Sequence, residues 1–429
     1  MLSTLGFGVF GFAVLIGLAW ACSSHRRAVD WRLVGTGLAL QLGLALFVLL
    51  TPFGTTLFDA LARGFVRVIS FSREGATFIF GDFVDVEQFG FVFALQVLPT
   101  IVFFAALMSV LYHLGVMQRI VRAMSWAITR VMRVSGAETL AVSANVFVGQ
   151  TEAPLVVRPY ISAMTQSELM TLMVGGMATI AGGVMAAYVV LLGGGDPATQ
   201  AFYAKHLLSA SVMAAPAALV VAKLLMPEVD RPLTLGQATP REAERTTTNV
   251  IEAAAVGAGE GVKLALNVGG MLLAFLALIA LINFPLVWVG EATGLSAWLG
   301  GRQGEPVQTD LALLLGYLLS PLAWITGVPW SDAPAVGSLI GQKVVANEFV
   351  AYVQLAQVAD SLSERGLLIA TYALCGFANF ASIAIQIGGI GGIAPDRRAD
   401  LARFGLRAVL GGTLATLMTA TMAGVITSF

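Results

Sequence analysis

Eight stretches of this chain, at 3–22, 31–53, 89–114, 167–193, 204–226, 263–289, 364–388 and 404–427, are long, apolar and poor in charge. A bilayer's hydrocarbon core is about 30 Å thick and is crossed by about 20 apolar residues in a helix. Within it every backbone N–H and C=O must find a partner inside the protein, which leaves helices or closed barrels. Runs of this length exclude barrel strands, which need only about 10 residues. The chain is therefore expected to be an all-α polytopic membrane protein. Composition agrees, since 57% of the 429 residues are hydrophobic and 11% are charged, against about 25% charged in soluble domains.

The same composition excludes other classes. A net charge of −1 offers no basic field for nucleic acid. Cys22 and Cys375 make no disulfide framework, and His25, His113 and His206 lie too far apart for metal-ligand spacing. The first apolar run has no cations before it, and "HRRAVDWR" follows it, the reverse of a cleaved signal peptide. It reads as a retained span with its N-terminus outside. The positive-inside rule then puts Arg26, Arg27 and Arg32, the cluster from Arg119 to Arg133, and Arg397, Arg398, Arg403 and Arg407 inside, with Arg63, Arg67 and Arg73 against the rule. A mixed segment lies at 54–75. "MQRIVRAMSWAITRVMR" at 117–133 predicts a basic amphipathic helix in the interface. A polar linker with two prolines occupies 228–249.

Two apolar regions, 134–163 and 309–357, are too interrupted to span. Gly149 and Pro154 break the first; Pro321, Gly327, Pro329 and Pro334 break the second. Each is expected to form a re-entrant hairpin. The hairpins are followed by related motifs, "GMATIAGG" at 176–183 and "GFANFASI" at 376–383, which place Thr179 and Asn379 equivalently. Inverted repeats with broken helices are a signature of secondary transporters. The polar residues of these segments are candidates for a site. Glu152 and Glu348 are carboxylates at membrane depth, where ionisable groups usually face a cavity. Gln150 and Asn379 carry amides suited to a base edge or sugar hydroxyls, and Ser382 shares a helix face with Asn379. Asn145, Thr151 and Thr179 supply neutral oxygens, and unwound backbone near Val148 and Ile180 could supply carbonyls to a hard cation. Helix capping and interhelical hydrogen bonding remain open as purely structural roles for these groups.

"GQTEAPLVVRPY", "NEFVAY" and "CGFANFASIAIQIGGIGG", in that order and with "LLGYLLSPLAWITGVPWSDA" between the first two, closely resemble the concentrative nucleoside transporter family. The resemblance runs from about residue 89 to the C-terminus. It implies eight transmembrane helices, two re-entrant hairpins and interfacial helices in an inverted repeat, assembled as a homotrimer. It implies scaffold spans one to three with an interfacial helix in 1–114. The first half of a transport domain (interfacial helix, first hairpin, spans four and five) would occupy 115–227. A polar linker and interfacial helix would occupy 228–262, scaffold span six 263–290, and the second half of the transport domain 306–429. By resemblance, Gly149, Gln150, Thr151, Glu152 and Val184 would face the base, Glu348, Asn379 and Ser382 the ribose, and Phe377 would line the pocket. Asn145, Val148, Thr151, Thr179 and Ile180 would hold Na+ as coupling ion. A threonine stands at 179 where the family pattern has serine, and the hydroxyl is kept.

The expected function is sodium-coupled symport of nucleosides of the uridine, adenosine and cytidine class across a bacterial inner membrane. Proton coupling, or another polar neutral solute, is the alternative. Paired hairpins and a repeat argue against a channel, and an intramembrane enzyme has no support, since no histidine lies near a plausible serine nucleophile and no His/carboxylate metal set exists. Alternating access is expected to slide the transport domain past an apolar face at 266–282, where Gly269 and Gly270 permit close approach. The 228–249 linker is expected to leave the halves loosely attached.

Overall fold

In the computed structural model, residues 2–237, 247–298 and 308–427 are described. The middle of the expected linker, the start of the last expected segment at 306 and both chain ends lie outside them. Among the described residues no β-strand occurs, and the protein is an all-α polytopic membrane protein.

The N-terminal third comprises α1 (Leu2–Ala21), α2 (Trp31–Leu50), α3 (Pro52–Phe80) and α4 (Phe93–His113). Asp30 caps α2, its carboxylate accepting from the N–H groups of Arg32 and Leu33. Pro52 opens α3, where the missing N–H is one of the first-turn orphans anyway. The mixed segment at 54–75 is thus the interior of one 29-residue amphipathic helix.

Two series of six helices follow the same plan. The first is α5 (Val116–Met132), α6 (Gly136–Asn145), α7 (Ala153–Val156), α8 (Gln166–Ala178), α9 (Gly182–Gly193) and α10 (Pro197–Leu225). After α11 (Val250–Ala292) comes the second: α12 (Leu311–Ile325), α13 (Ala333–Val345), α14 (Glu348–Val358), α15 (Glu364–Leu374), α16 (Phe380–Ile393) and α17 (Arg398–Ile426). Spans four and seven, read as continuous in the sequence, are each broken, at 179–181 and 375–379. The breaks fall on the two related motifs and touch: the Phe377 N–H donates to the Thr179 carbonyl at 3.3 Å. A Cβ on Gly376 would stand 2.8 Å from the Met177 carbonyl oxygen, so glycine lets the two broken helices meet.

Three expectations need correction. Within 309–357 the chain turns twice, and the expected glycine and proline break accounts only for the first turn. Pro321 lies within α12, and Pro334 sits in the first turn of α13, where it costs no hydrogen bond. Gly327, at φ +101°, turns the chain between α12 and α13. The turn that carries Glu348 is at Ala346 and Asn347, and the Asn347 side chain caps α14 by accepting from the Val350 N–H at 2.9 Å. Span six is not set apart by a break at 263, because residues 250–262 run unbroken into the same helix. The 43 residues of α11 make a rod of about 65 Å at 1.5 Å per residue. Its buried stripe is Ala253, Gly257, Gly261, Ala265, Val268 and Leu272. Close approach is provided by Gly257 and Gly261, not by Gly269 and Gly270. A Cβ at Gly257 would lie 2.7 Å from the Ala105 carbonyl oxygen, and one at Gly261 2.7 Å from Val102 Cα, whereas nothing lies within 4 Å of Gly270.

The third correction concerns the linker. Its first ten residues strap the start of the first hairpin rather than hanging free. The Gly136 N–H donates to the Thr234 carbonyl and the Ala137 N–H to Thr234 Oγ1, both at 3.0 Å. These satisfy first-turn donors of α6 that have no partner within the helix.

Candidate substrate and ion site

The stripe of α16 that faces the first hairpin carries Asn379, Ser382, Gln386 and Gly389, spaced three, four and three residues apart, which stacks them on one helix face. Asn379 caps α16: its Oδ1 accepts from the Ser382 N–H at 2.8 Å. This leaves its amide Nδ2 to donate to Glu348 Oε2 at 3.0 Å. The other oxygen of Glu348 accepts from the Tyr188 hydroxyl at 2.9 Å. Gln150 Nε2 donates to Ser382 Oγ, and Gln386 Nε2 donates both to Gln150 Oε1 and to the Met173 carbonyl, each at 3.0 Å. A continuous polar chain therefore joins the turn of the first hairpin, the start of α14 and the broken helix α16. All of its members are buried. A carboxylate oxygen has two lone pairs and a hydroxyl can donate and accept, so Glu348 and Ser382 retain capacity for a polar ligand.

The other candidates take distinct places. Val184 is buried on α9 one turn before Tyr188. Phe377 lies in the break before α16 and packs, partly buried, against the core. Thr151 packs on α16, its Cγ2 only 2.7 Å from where a Cβ on Gly389 would stand. Gly149 lies against the Glu152 carboxylate, whose Oε2 would stand 2.3 Å from a Cβ at this position. Glu152 itself is exposed and does not join the buried chain. Glu152 and Glu348 thus differ in exposure.

Two of the cation candidates, Asn145 and Thr179, lie where α6 ends against α8. Both polar atoms of the Asn145 side chain are buried without a hydrogen-bond partner, as is Ser143 Oγ. An orphaned buried polar group costs about 1–3 kcal/mol. The Asn145 amide nitrogen lies 3.5 Å from where a Cβ on Gly175 would be, and the Thr179 hydroxyl donates to the Gly175 carbonyl at 2.9 Å. Val148 and Ile180 lie outside the helices, in the hairpin turn and in the break, and the Gly182 N–H ties these two segments together through the Phe147 carbonyl at 2.9 Å. Neutral oxygens and non-helical backbone, with no carboxylate among these five residues, fit a small monovalent cation.

Two members of the candidate polar chain, and one buried cation near it, were not recognised in the sequence. Gln386 continues the Asn379–Ser382 stripe by one turn, and Tyr188 follows Val184 by one turn; extending each face would have found them. Lys343, buried in α13, donates to the Ala373 carbonyl at 2.8 Å and to Thr416 Oγ1 at 3.1 Å. A lysine inside an apolar helix is itself the signal.

Residues 206–424 match the family model described as "Na+ dependent nucleoside transporter C-terminus", residues 10–83 that of its N-terminus, and residues 94–195 a "nucleoside recognition" gate. This chain belongs to the Na+-dependent nucleoside transporter family. A nucleoside permease of Helicobacter pylori is 40% identical over 97% of each chain. The human sodium/nucleoside cotransporter 1 is 40% identical over 97% of this chain and 63% of its own. An uncharacterized transporter of Haemophilus influenzae is 46% identical over 97% of this chain and 96% of its own. Among solved structures, an inward-facing, substrate-bound state of CNTnw superposes with a TM-score of 0.89 at 43% identity, covering 99% of both chains. An outward-facing state of a CNTnw variant gives 0.88 at 42% identity, covering 100% of this chain and 98% of the other. Members of this transporter family are permeases, not enzymes.

Proposed function

We propose that the protein is a sodium-coupled nucleoside symporter of a bacterial inner membrane, with its N-terminus outside. The observation that carries this reading is the buried chain Glu348–Asn379–Ser382–Gln150, drawn from both repeats, beside an Asn145 amide with no partner in the protein. Glu348, Asn379 and Ser382 would hold ribose hydroxyls. Gly149, Gln150, Thr151, Glu152 and Val184 would face the base, with Phe377 lining the pocket. Asn145, Thr179 and Thr151, with carbonyls of Val148 and Ile180, would hold sodium. Uridine, adenosine and cytidine are the substrates to try first.

The test is uptake of labelled uridine and adenosine into proteoliposomes, with sodium and pH gradients imposed separately. An inward sodium gradient should drive accumulation. Full uptake driven by protons in sodium-free buffer would replace this reading with proton coupling. Within the same assay Asn145→Ala should raise the sodium concentration needed for half-maximal uptake more than it raises the uridine KM. Equal changes in both would remove Asn145 from the ion site.

Transport would proceed by alternating access, α5–α10 and α12–α17 moving as one domain against a trimeric scaffold built on α1–α4 and α11. Because the polar chain takes members from both repeats, separating them would break it, whereas moving them together preserves each bond. The α4–α9 contact at Phe104 and Gly183 crosses that boundary. Cysteine pairs at staggered depths along α4 and α9, in a background lacking Cys22 and Cys375, should crosslink in several registers. A single register, unchanged by sodium and nucleoside, would rule out sliding.

A further inference from the structure

Each repeat contains a half-helix that ends in the protein interior, α8 at Ala178 and α15 at Leu374. The last carbonyls of a helix lack intrahelical donors and form the negative end of its dipole. Both ends therefore favour a cation in low-dielectric surroundings. The two repeats meet this need differently. In the second, Lys343 brings its ammonium to the Ala373 carbonyl, the next-to-last of α15, and to Thr416 Oγ1. Its ligands are neutral oxygens, and the side chain is 1% exposed. Glu348, engaged by Tyr188 and Asn379, acts on this charge only at longer range.

Counted back from the ends of α13 and α6, Lys343 and Ser143 hold the same place, each third from last. In the first repeat that place has a small hydroxyl without a partner, and two residues further on stands the unpartnered Asn145 amide. One repeat thus presents buried oxygens that nothing in the protein satisfies. The other fills the corresponding place with a tethered monovalent cation. We propose that Lys343 is a resident counterpart of the coupling ion, its ammonium standing in the second repeat where the first takes sodium from solution, and that it thereby fixes coupling at a single sodium per nucleoside. This rests on the sodium reading of the first repeat.

The decisive variant is Lys343→Ser, which gives the second repeat the residue type of the first. Sodium activation of uridine uptake and net charge moved per uridine are measured in proteoliposomes; thermal stability in detergent is followed as sodium replaces choline. The wild-type protein should show hyperbolic activation and a single charge per uridine. Lys343→Ser should become sigmoidal in sodium, move a second charge, and regain in high sodium the stability it lacks in choline. Lys343→Met, which fills the space without an oxygen, should show none of these responses. The proposal is overturned if Lys343→Ser keeps hyperbolic activation and a single charge, if it is equally unstable in sodium and choline, or if Lys343→Met responds as the serine variant does. A wild-type protein indifferent to sodium would instead remove the sodium reading on which the proposal stands.

Discussion

Glu348→Gln should lower nucleoside affinity roughly tenfold to over a hundredfold, a loss of about 1.5–3 kcal/mol for hydrogen bonds to a charged group. The carboxylate is 4% exposed and already accepts from Tyr188 and Asn379, one donor on each oxygen. Those bonds fix its plane and leave one lone-pair direction on each oxygen for ligand hydroxyls. A glutamine of the same shape keeps a single accepting oxygen. Its new NH2 faces either the Tyr188 hydroxyl, which can turn to accept, or the Asn379 amide, which cannot. Binding should therefore suffer more than folding. Equilibrium binding of labelled uridine to purified protein reads the affinity, and the thermal midpoint in detergent reads the folding. Free uracil, which has no hydroxyls for Glu348, should compete weakly with the wild type and be little affected by the substitution. Equal competition by uracil and uridine would take Glu348 out of ribose recognition.

What the sequence disclosed follows the range over which each feature is encoded. Spans four and seven read as continuous because their apolar runs are unbroken, although the recurring motif around Thr179 and Asn379 marks where both helices break, and the N-cap geometry of Asn379 belongs to a few adjacent residues. The family and the helical class were legible from quoted motifs and from hydropathy. The turn before Glu348 was not. Proline and glycine normally mark turns, yet here Pro334 starts a helix and the turn uses Ala346, whose backbone leaves the helical region without a glycine. That Glu152 is exposed while Glu348 is buried was not legible either, because exposure is a property of the packed molecule. The strap at Thr234 joins residues 97 apart in the chain, and no local pattern announces such a pairing.

Lys223→Met should destabilise the protein by about 3–5 kcal/mol, the cost of stripping one partner from a buried ion pair. Lys223, near the end of α10, lies 2.9 Å from Glu138 on α6 and 3.2 Å from Glu228 at the start of the strap. Its ammonium also donates to Ser167 Oγ at 3.0 Å. Glu138 is 1% exposed on its side chain. Its other oxygen accepts from the Ser135 N–H, and Ser135 in turn contacts Thr234 and Glu168. One cation thus holds together the base of the first hairpin, the start of α8 and the strap. Without it Glu138 is left charged in a buried site, while Glu228, 22% exposed, can turn to solvent. The strap should therefore loosen first, and proteolysis within residues 228–237 should accelerate before α10 unfolds. Adding Glu138→Gln should recover most of the loss, because the amide still accepts from Ser135 while the unpaired charge is gone. Thermal midpoints of the wild type, both single variants and the double variant form a cycle that isolates the pair. If Lys223→Met matches the wild type in midpoint and in strap proteolysis, the cluster does not fasten the hairpin. If the double variant is no better than Lys223→Met, the damage comes from lost packing of the lysine stem and not from the stranded carboxylate.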